Sequence, residues 1–231
     1  MTIAPERQAA ARPAGDGYAA ARKSMIESQL RTSGVNASFV LHRMMSVPRE
    51  DYVPASARPI AYIDRAVPLG EGRFLAAPVF HGMLLQEAVP GTGDRVLVVD
   101  GGSGYLPDLV RPLVASLDVI TPAQALQGQG QGEGGGGGGG GLQAGGFSLL
   151  LIDGAVEHVP AALAARLDQA GRAVTGVVES GVTRLAVGRR TGGMSGDASG
   201  GGADAGLALL SLAEIGIPIL TEFAKPKAWS F

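Results

Sequence analysis

The sequence predicts an α/β protein built on a mostly parallel sheet, with helices on both faces and a helical extension at its N-terminus. Three observations carry that reading. Arg95 to Val99 (RVLVV) is a run of branched apolar residues with no polar alternation, the pattern of a strand buried on both faces, and it stops abruptly in the glycine turn Asp100 to Gly104. Phe147 to Asp153 (FSLLLID) repeats the pattern and also ends in Asp-Gly. Between and after these strands, helical and extended stretches alternate, the order that yields parallel strands joined by crossovers.

Taken in order, residues 1–17 are rich in Ala, Pro, Arg and Gly without apolar period, and predict a loose tail. From Tyr18 to Thr32, Met25, Ile26 and Leu30 share a helical face, and Gly34 follows as a stop. A second helix carries Phe39, Val40, Met44 and Met45, with Asn36 or Ser38 as its cap and Pro48 ending it near Val47. Asp51 to Phe80 contains prolines at 54, 59, 68 and 78, and reads as a long ordered loop of the kind that carries function. His81 to Val89 is read as a short helix leading into the first strand, and Leu106 to Ala115 as the helix that follows the glycine turn.

Leu117 to Thr121 predicts a second strand and Ala123 to Leu126 the start of another helix. Residues 127–146 are almost wholly glycine and glutamine, a flexible coil with nothing to bury. After the FSLLLID strand, Val159 to Leu167 reads as a helix, and Arg172 to Val178 and Thr183 to Arg189 as a strand pair able to run antiparallel. Residues 192–206 form a second flexible loop, and the ending PKAWSF is assigned a last strand. The domain division is therefore a tail at 1–17, a helical and substrate-loop region at 18–89, and an α/β domain at 90–231. No internal repeat is present.

Composition excludes several classes. With 19 Lys and Arg against 21 Asp and Glu there is no basic field to hold a phosphate backbone, so no nucleic-acid partner is expected. The chain has no Cys, which removes disulfides, thiolate metal sites and a cysteine nucleophile. His42, His81 and His158 lack metal-ligand spacing and are read as surface or packing residues, so no metal is expected. No apolar run reaches the length of a signal core or a membrane span, and the expected location is cytoplasmic.

In a parallel sheet the ligand crevice lies at the carboxyl ends of the strands. That makes Asp100, Gly101, Gly102, Ser103, Gly104 and Tyr105 candidate cofactor-binding residues, with Asp153 at the end of the neighbouring strand either touching ligand or capping the next helix. The glycine turn alone is equally a plain strand-to-helix connection. A nicotinamide-type binder would carry an acidic residue at the tip of the second strand, whereas Thr121 stands there with Asp118 behind it.

Taken together, MIESQL at 25–30, VPREDYVP at 47–54, AYIDRAVPLGEGRFLAAP at 61–78, VVDGGSGYL at 98–106, FSLLLIDGAVEHVP at 147–160, LDQAGRAV at 167–174 and the ending PKAWSF resemble the protein-L-isoaspartate O-methyltransferase family. The resemblance spans roughly residues 18–231. It implies the Rossmann-like, seven-stranded fold of S-adenosylmethionine-dependent methyltransferases, S-adenosylmethionine as cofactor, and methyl transfer to the free carboxylate of isoaspartate in damaged proteins or peptides. It also assigns Asp64 and Arg65 to the substrate loop, with a mutual salt bridge as the alternative role, and Thr121 to the ribose position.

The sequence departs from the family pattern at several of these places. Where the family has Thr-Ile-Ser this chain has Phe74, Leu75 and Ala76, so the hydroxyl position is Ala76 and no catalytic residue is assigned. Val98 stands at an acidic position and Asp100 at the first glycine, and polyglycine replaces the segment that carries an acid near the adenine. Two readings follow: a carboxyl methyltransferase with impaired activity, or a non-catalytic member that keeps the fold as a binding or scaffold module.

Overall fold

The computed structural model describes residues 15–127, 146–191 and 206–225. The chain begins with α1 (Gly15–Met25), which runs on into a π-helical turn at Ile26–Leu30, followed by α2 (Ser38–Ser46). Short 3-10 turns at Arg49–Tyr52 and Ala55–Ile60 lead to a hairpin of β1 (Val67–Gly70) and β2 (Arg73–Leu75), and then to α3 (Pro78–Ala88). The α/β portion comprises β3 (Arg95–Val99), α4 (Tyr105–Val110), β4 (Ser116–Ile120), α5 (Pro122–Gln127), β5 (Phe147–Val156), the single turn α6 (Ala161–Ala164), β6 (Leu167–Glu179), β7 (Val182–Arg190) and β8 (Leu207–Glu214).

The main sheet has the order β4-β3-β5-β6-β7-β8. The β4, β3, β5 and β6 strands run parallel, β7 is antiparallel to β6, and β8 is antiparallel to β7. Alternation along the central strands explains why both faces are covered. Val96 and Val98 of β3 and Leu149 and Leu151 of β5 face a core shared with α1, α2, α3 and α4. Leu97, Val99, Leu150 and Ile152 face a second core with α5, α6 and Phe223. A run with no polar positions is what a strand covered on both sides requires.

Several expectations are corrected. Among the described residues the main sheet has six strands, not seven. Among the described residues β4 is an edge strand, with Val119 exposed. The tail expected at 1–17 is cut short, because residues 15–17 already belong to α1; residues 1–14, the tracts 128–145 and 192–205, and the last strand assigned to PKAWSF lie outside the described residues.

Neither Asn36 nor Ser38 caps α2. Ala37 holds that place, and the Gln86 side-chain oxygen accepts the N–H groups of Asn36 and Ala37 at 2.8 and 3.1 Å. The α3 helix begins three residues before the expected His81, because Pro78 suits a first helical turn whose N–H has no partner in any case. The helix after the glycine turn ends at Val110 as Pro112 approaches, and the expected Val159–Leu167 helix shrinks to α6 because Leu167 is drawn into β6 opposite Phe147. Within the loop expected at 51–80, Glu71 and Gly72 both take positive φ (52° and 73°), the backbone of a tight hairpin turn, and so set β2 against β1.

Candidate functional site

The order of the sheet places the carboxyl ends of β3 and β5 side by side, with the chain leaving β3 toward β4 and entering β5 on the other flank. The glycine turn sits at that point. Its residues differ in what they do. Gly101 is buried, and a Cβ there would lie 2.3 Å from the Asp153 carbonyl oxygen, so this glycine is required for the turn to press against β5. Gly102 has φ 111° and Gly104 φ 72°, conformations that L side chains rarely adopt. The Asp100 carboxylate folds back into the turn and accepts the N–H groups of Gly102 at 3.2 Å and Gly104 at 3.1 Å. Burial, reinforced by the charge of Asp153, pushes the Asp100 carboxyl up to about 6, against the two backbone donors and Arg73.

Ser103 and Tyr105 point inward. The Ser103 hydroxyl lies 3.4 Å from Asp153 Oδ2 and accepts the Tyr105 N–H at 3.1 Å. Tyr105 is fully buried, edge-on to the rings of Tyr52 and His81 at 5.1 and 5.2 Å, with the Arg49 guanidinium 5.2 Å from its ring centre. Asp153 lies inside β5 rather than at its end, so it caps no helix; Pro160 stands at the head of α6. Thr121 accepts the Gln124 N–H at 3.2 Å while the Gln124 side chain accepts the Thr121 N–H at 2.9 Å, a reciprocal capping box that starts α5.

Beneath the turn runs a buried polar chain that sequence reasoning missed. Arg49, wholly buried, donates to the carbonyls of Ala61 (2.7 Å) and Ala76, and to His81 Nδ1 (3.3 Å). A guanidinium can only donate, so Nδ1 accepts and Nε2 carries the ring proton toward Asp153 Oδ1, 2.9 Å away. Next to it, Glu50 receives Tyr62 and Arg22. The histidine read as a surface or packing residue is therefore the link that fixes Asp153. Little in the sequence signals it, since Arg49 stands beside Glu50 and Asp51 in a charged stretch that reads as solvated surface.

The β1–β2 hairpin separates the glycine turn from a second feature. The stem of Arg73 rests on Gly102, whose added Cβ would lie 3.2 Å from Arg73 Cγ, and its guanidinium pairs with Glu222. Burial pushes the Glu222 carboxyl up, and the Arg73 hydrogen bond outweighs it, holding the group below the usual glutamate value. The next residue, Phe74, faces the other way and lines a cleft of about 430 Å3 together with Asp64, Arg65, Ala77, Thr183 and Pro218. Asp64 and Arg65 thus share one cleft wall. Asp64 Oδ1 accepts the Val79 N–H at 3.2 Å, which ties the loop to the first turn of α3, and no Asp64–Arg65 ion pair is found among the described residues. Ala76 is buried, so position 76 presents a carbonyl to Arg49 and no hydroxyl to the cleft. Among the described residues no cluster of three metal-ligating side chains occurs, and no helix is long and apolar enough to cross a membrane.

Comparison with known proteins gives this arrangement a family. Residues 20–121 match the family model described as protein-L-isoaspartate(D-aspartate) O-methyltransferase (PCMT). A protein-L-isoaspartate O-methyltransferase of Koribacter versatilis is 31% identical over 196 residues, covering 80% of this chain and 88% of that protein. The chain belongs to the protein-L-isoaspartate O-methyltransferase family. A second member, protein-L-isoaspartate O-methyltransferase 2 of Anaeromyxobacter sp., is 31% identical over 165 residues, 66% of this chain and 68% of its own. The fold is shared with a Plasmodium falciparum family protein solved in complex with S-adenosyl-L-homocysteine, at TM-score 0.61 and 17% identity, with 89% of this chain and 98% of that one covered. The family match ends at Thr121, shortly before the glycine tract.

Proposed function

We propose that this chain is an S-adenosylmethionine-dependent carboxyl methyltransferase acting on isoaspartyl residues of proteins, slowed by the missing hydroxyl at position 76. The observation that carries the reading is the hairpin with two working faces: Arg73 over the glycine turn, and Phe74 in the cleft lined by Asp64 and Arg65. One side suits a cofactor and the other a substrate.

The residues present fit the cofactor's chemistry. Asp100 and Asp153 place negative charge beside the turn, which suits a ligand bearing sulfonium and ammonium groups. Glu222 Oε2 is buried without a hydrogen-bond partner among the described residues, and such an acceptor is stabilised when a donor arrives. S-adenosylmethionine supplies, when bound, a methyl group activated on a sulfonium sulfur. Transfer to a carboxylate needs no base, so the chain's own contribution is to orient the partners and exclude water. Arg65 is exposed on the cleft wall, and in this reading it receives the substrate carboxylate.

One observation favours the non-catalytic reading. The Gly102 and Gly104 N–H groups are already taken by Asp100, and Ala76 offers the carboxylate nothing. Calorimetric titration with S-adenosylhomocysteine, followed by methyl incorporation into an isoaspartyl peptide, separates the two. Micromolar binding with slow transfer supports the enzyme, and Phe74→Thr/Ala76→Ser should then raise kcat without altering cofactor affinity. Binding without any transfer, in wild type and double variant alike, would establish the binding-module reading instead.

A further inference from the structure

The Arg73–Glu222 pair lies on the open side of the glycine turn, and three observations give it a ligand. The Arg73 stem lies against Gly102, the exposed glycine that anything seated at the turn must meet. Its guanidinium makes a single hydrogen bond among the described residues, to Glu222 Oε1, so most of its N–H donors are unspent. Glu222 Oε2 is buried with no hydrogen-bond partner among the described residues. The turn itself cannot hold a carboxylate through Gly102 and Gly104, whose N–H groups Asp100 occupies.

We propose that Arg73 and Glu222 form the recognition pair for the amino-acid end of the cofactor, Arg73 receiving its α-carboxylate and Glu222 Oε2 its α-ammonium. The inference rests on the cofactor reading above and assigns specificity to two residues outside the glycine turn. A zwitterion carries its two charges on neighbouring atoms, and a cation and an anion held together at one point are its complement. Arg73 thereby replaces the backbone donors lost to Asp100.

The test uses three probes on the full chain by calorimetry: S-adenosylhomocysteine, which has both charges; its decarboxylated amine analogue, which keeps only the ammonium; and 5′-methylthioadenosine, which has neither. Wild type is expected to prefer S-adenosylhomocysteine. Arg73→Met should weaken S-adenosylhomocysteine by about tenfold while leaving the other two within about twofold. Glu222→Gln should weaken both ammonium-bearing probes by about tenfold and spare 5′-methylthioadenosine. Equal changes for all three probes in either variant would overturn the proposal, since that is the signature of a strap that merely shapes the turn. Failure of folded wild type to bind any probe would overturn the cofactor reading, and this inference with it, before any variant is made.

Discussion

The Asp100 carboxyl offers a sharp test of how the glycine turn is held. Its value is raised from 3.8 to about 6 by burial and by Asp153. A folded state that takes up this proton more readily than the unfolded chain loses stability as pH rises, and the loss runs from about pH 4 to about pH 6. At 1.36 kcal/mol per unit the shift corresponds to about 3 kcal/mol, and because the residue is partly exposed, screening reduces the expected effect to about 1–2 kcal/mol. Asp100→Asn removes the charge while an amide oxygen in the Oδ2 position can still accept from both Gly102 and Gly104. The variant should therefore match wild type near pH 3.8, become progressively more stable than it up to pH 6, and hold a constant advantage above that. Urea unfolding followed by circular dichroism across this range measures the difference directly, and subtracting the variant cancels the other titrating groups. A pH-independent difference, or a variant less stable than wild type at neutral pH, would refute the account of the turn as a site of uncompensated negative charge.

Other consequences are simpler to state. Gly101→Ala should cost about 2–4 kcal/mol, since its Cβ would meet a backbone oxygen that cannot move aside, whereas Gly93→Ala, with nothing within 4 Å, should stay within about 0.5 kcal/mol in the same urea unfolding assay. Arg49→Met should destabilise by about 3–5 kcal/mol, because it strands two buried carbonyls and His81 Nδ1; a loss under about 1 kcal/mol would mean the buried chain is not what fixes this region. Asp94 is held down at about 2, chiefly by Arg172, which also binds the carbonyls of Ala88 and Val89 at the end of α3. Asp94→Asn should thus lose about 1 kcal/mol at neutral pH after solvent screening, and the gap to wild type should close as pH falls from about 4 through 2.

What could be read from the sequence follows from how local each signal is. The β3 and β5 strands were legible because their apolar runs need no partner to be recognised, and the capping box Thr121-Pro-Ala-Gln124 was written in four residues although the family resemblance drew Thr121 toward a ribose role. Helix ends were less legible: α6 is one turn long because Leu167 pairs with Phe147, a choice made by the sheet. The link from Arg49 through His81 to Asp153 joins residues far apart in sequence, and no period or spacing announces it. The same is true of Arg73 and Glu222, which meet although they lie far apart in the sequence.

These differences bear on how the glycine turn should be weighed. Gly101 is fixed by the Asp153 carbonyl and would be kept by packing alone, whether or not a cofactor ever binds. Gly104 has open space where a Cβ would be, and is held to glycine by its backbone conformation. Neither therefore argues for cofactor binding, and the fingerprint that first draws attention to the turn is mostly a statement about strand-to-helix geometry. The discriminating features are the ones the turn's geometry does not require: at Glu222 a buried carboxylate oxygen without a hydrogen-bond partner among the described residues, and at Arg73 a guanidinium with a single hydrogen bond among them, both beside the exposed Gly102. Arg73 satisfies one oxygen of Glu222, and a fold that kept this region only for stability gains nothing from the unpaired acceptor at the other. Its presence is the reason to expect that binding survives even where the hydroxyl at position 76 has gone.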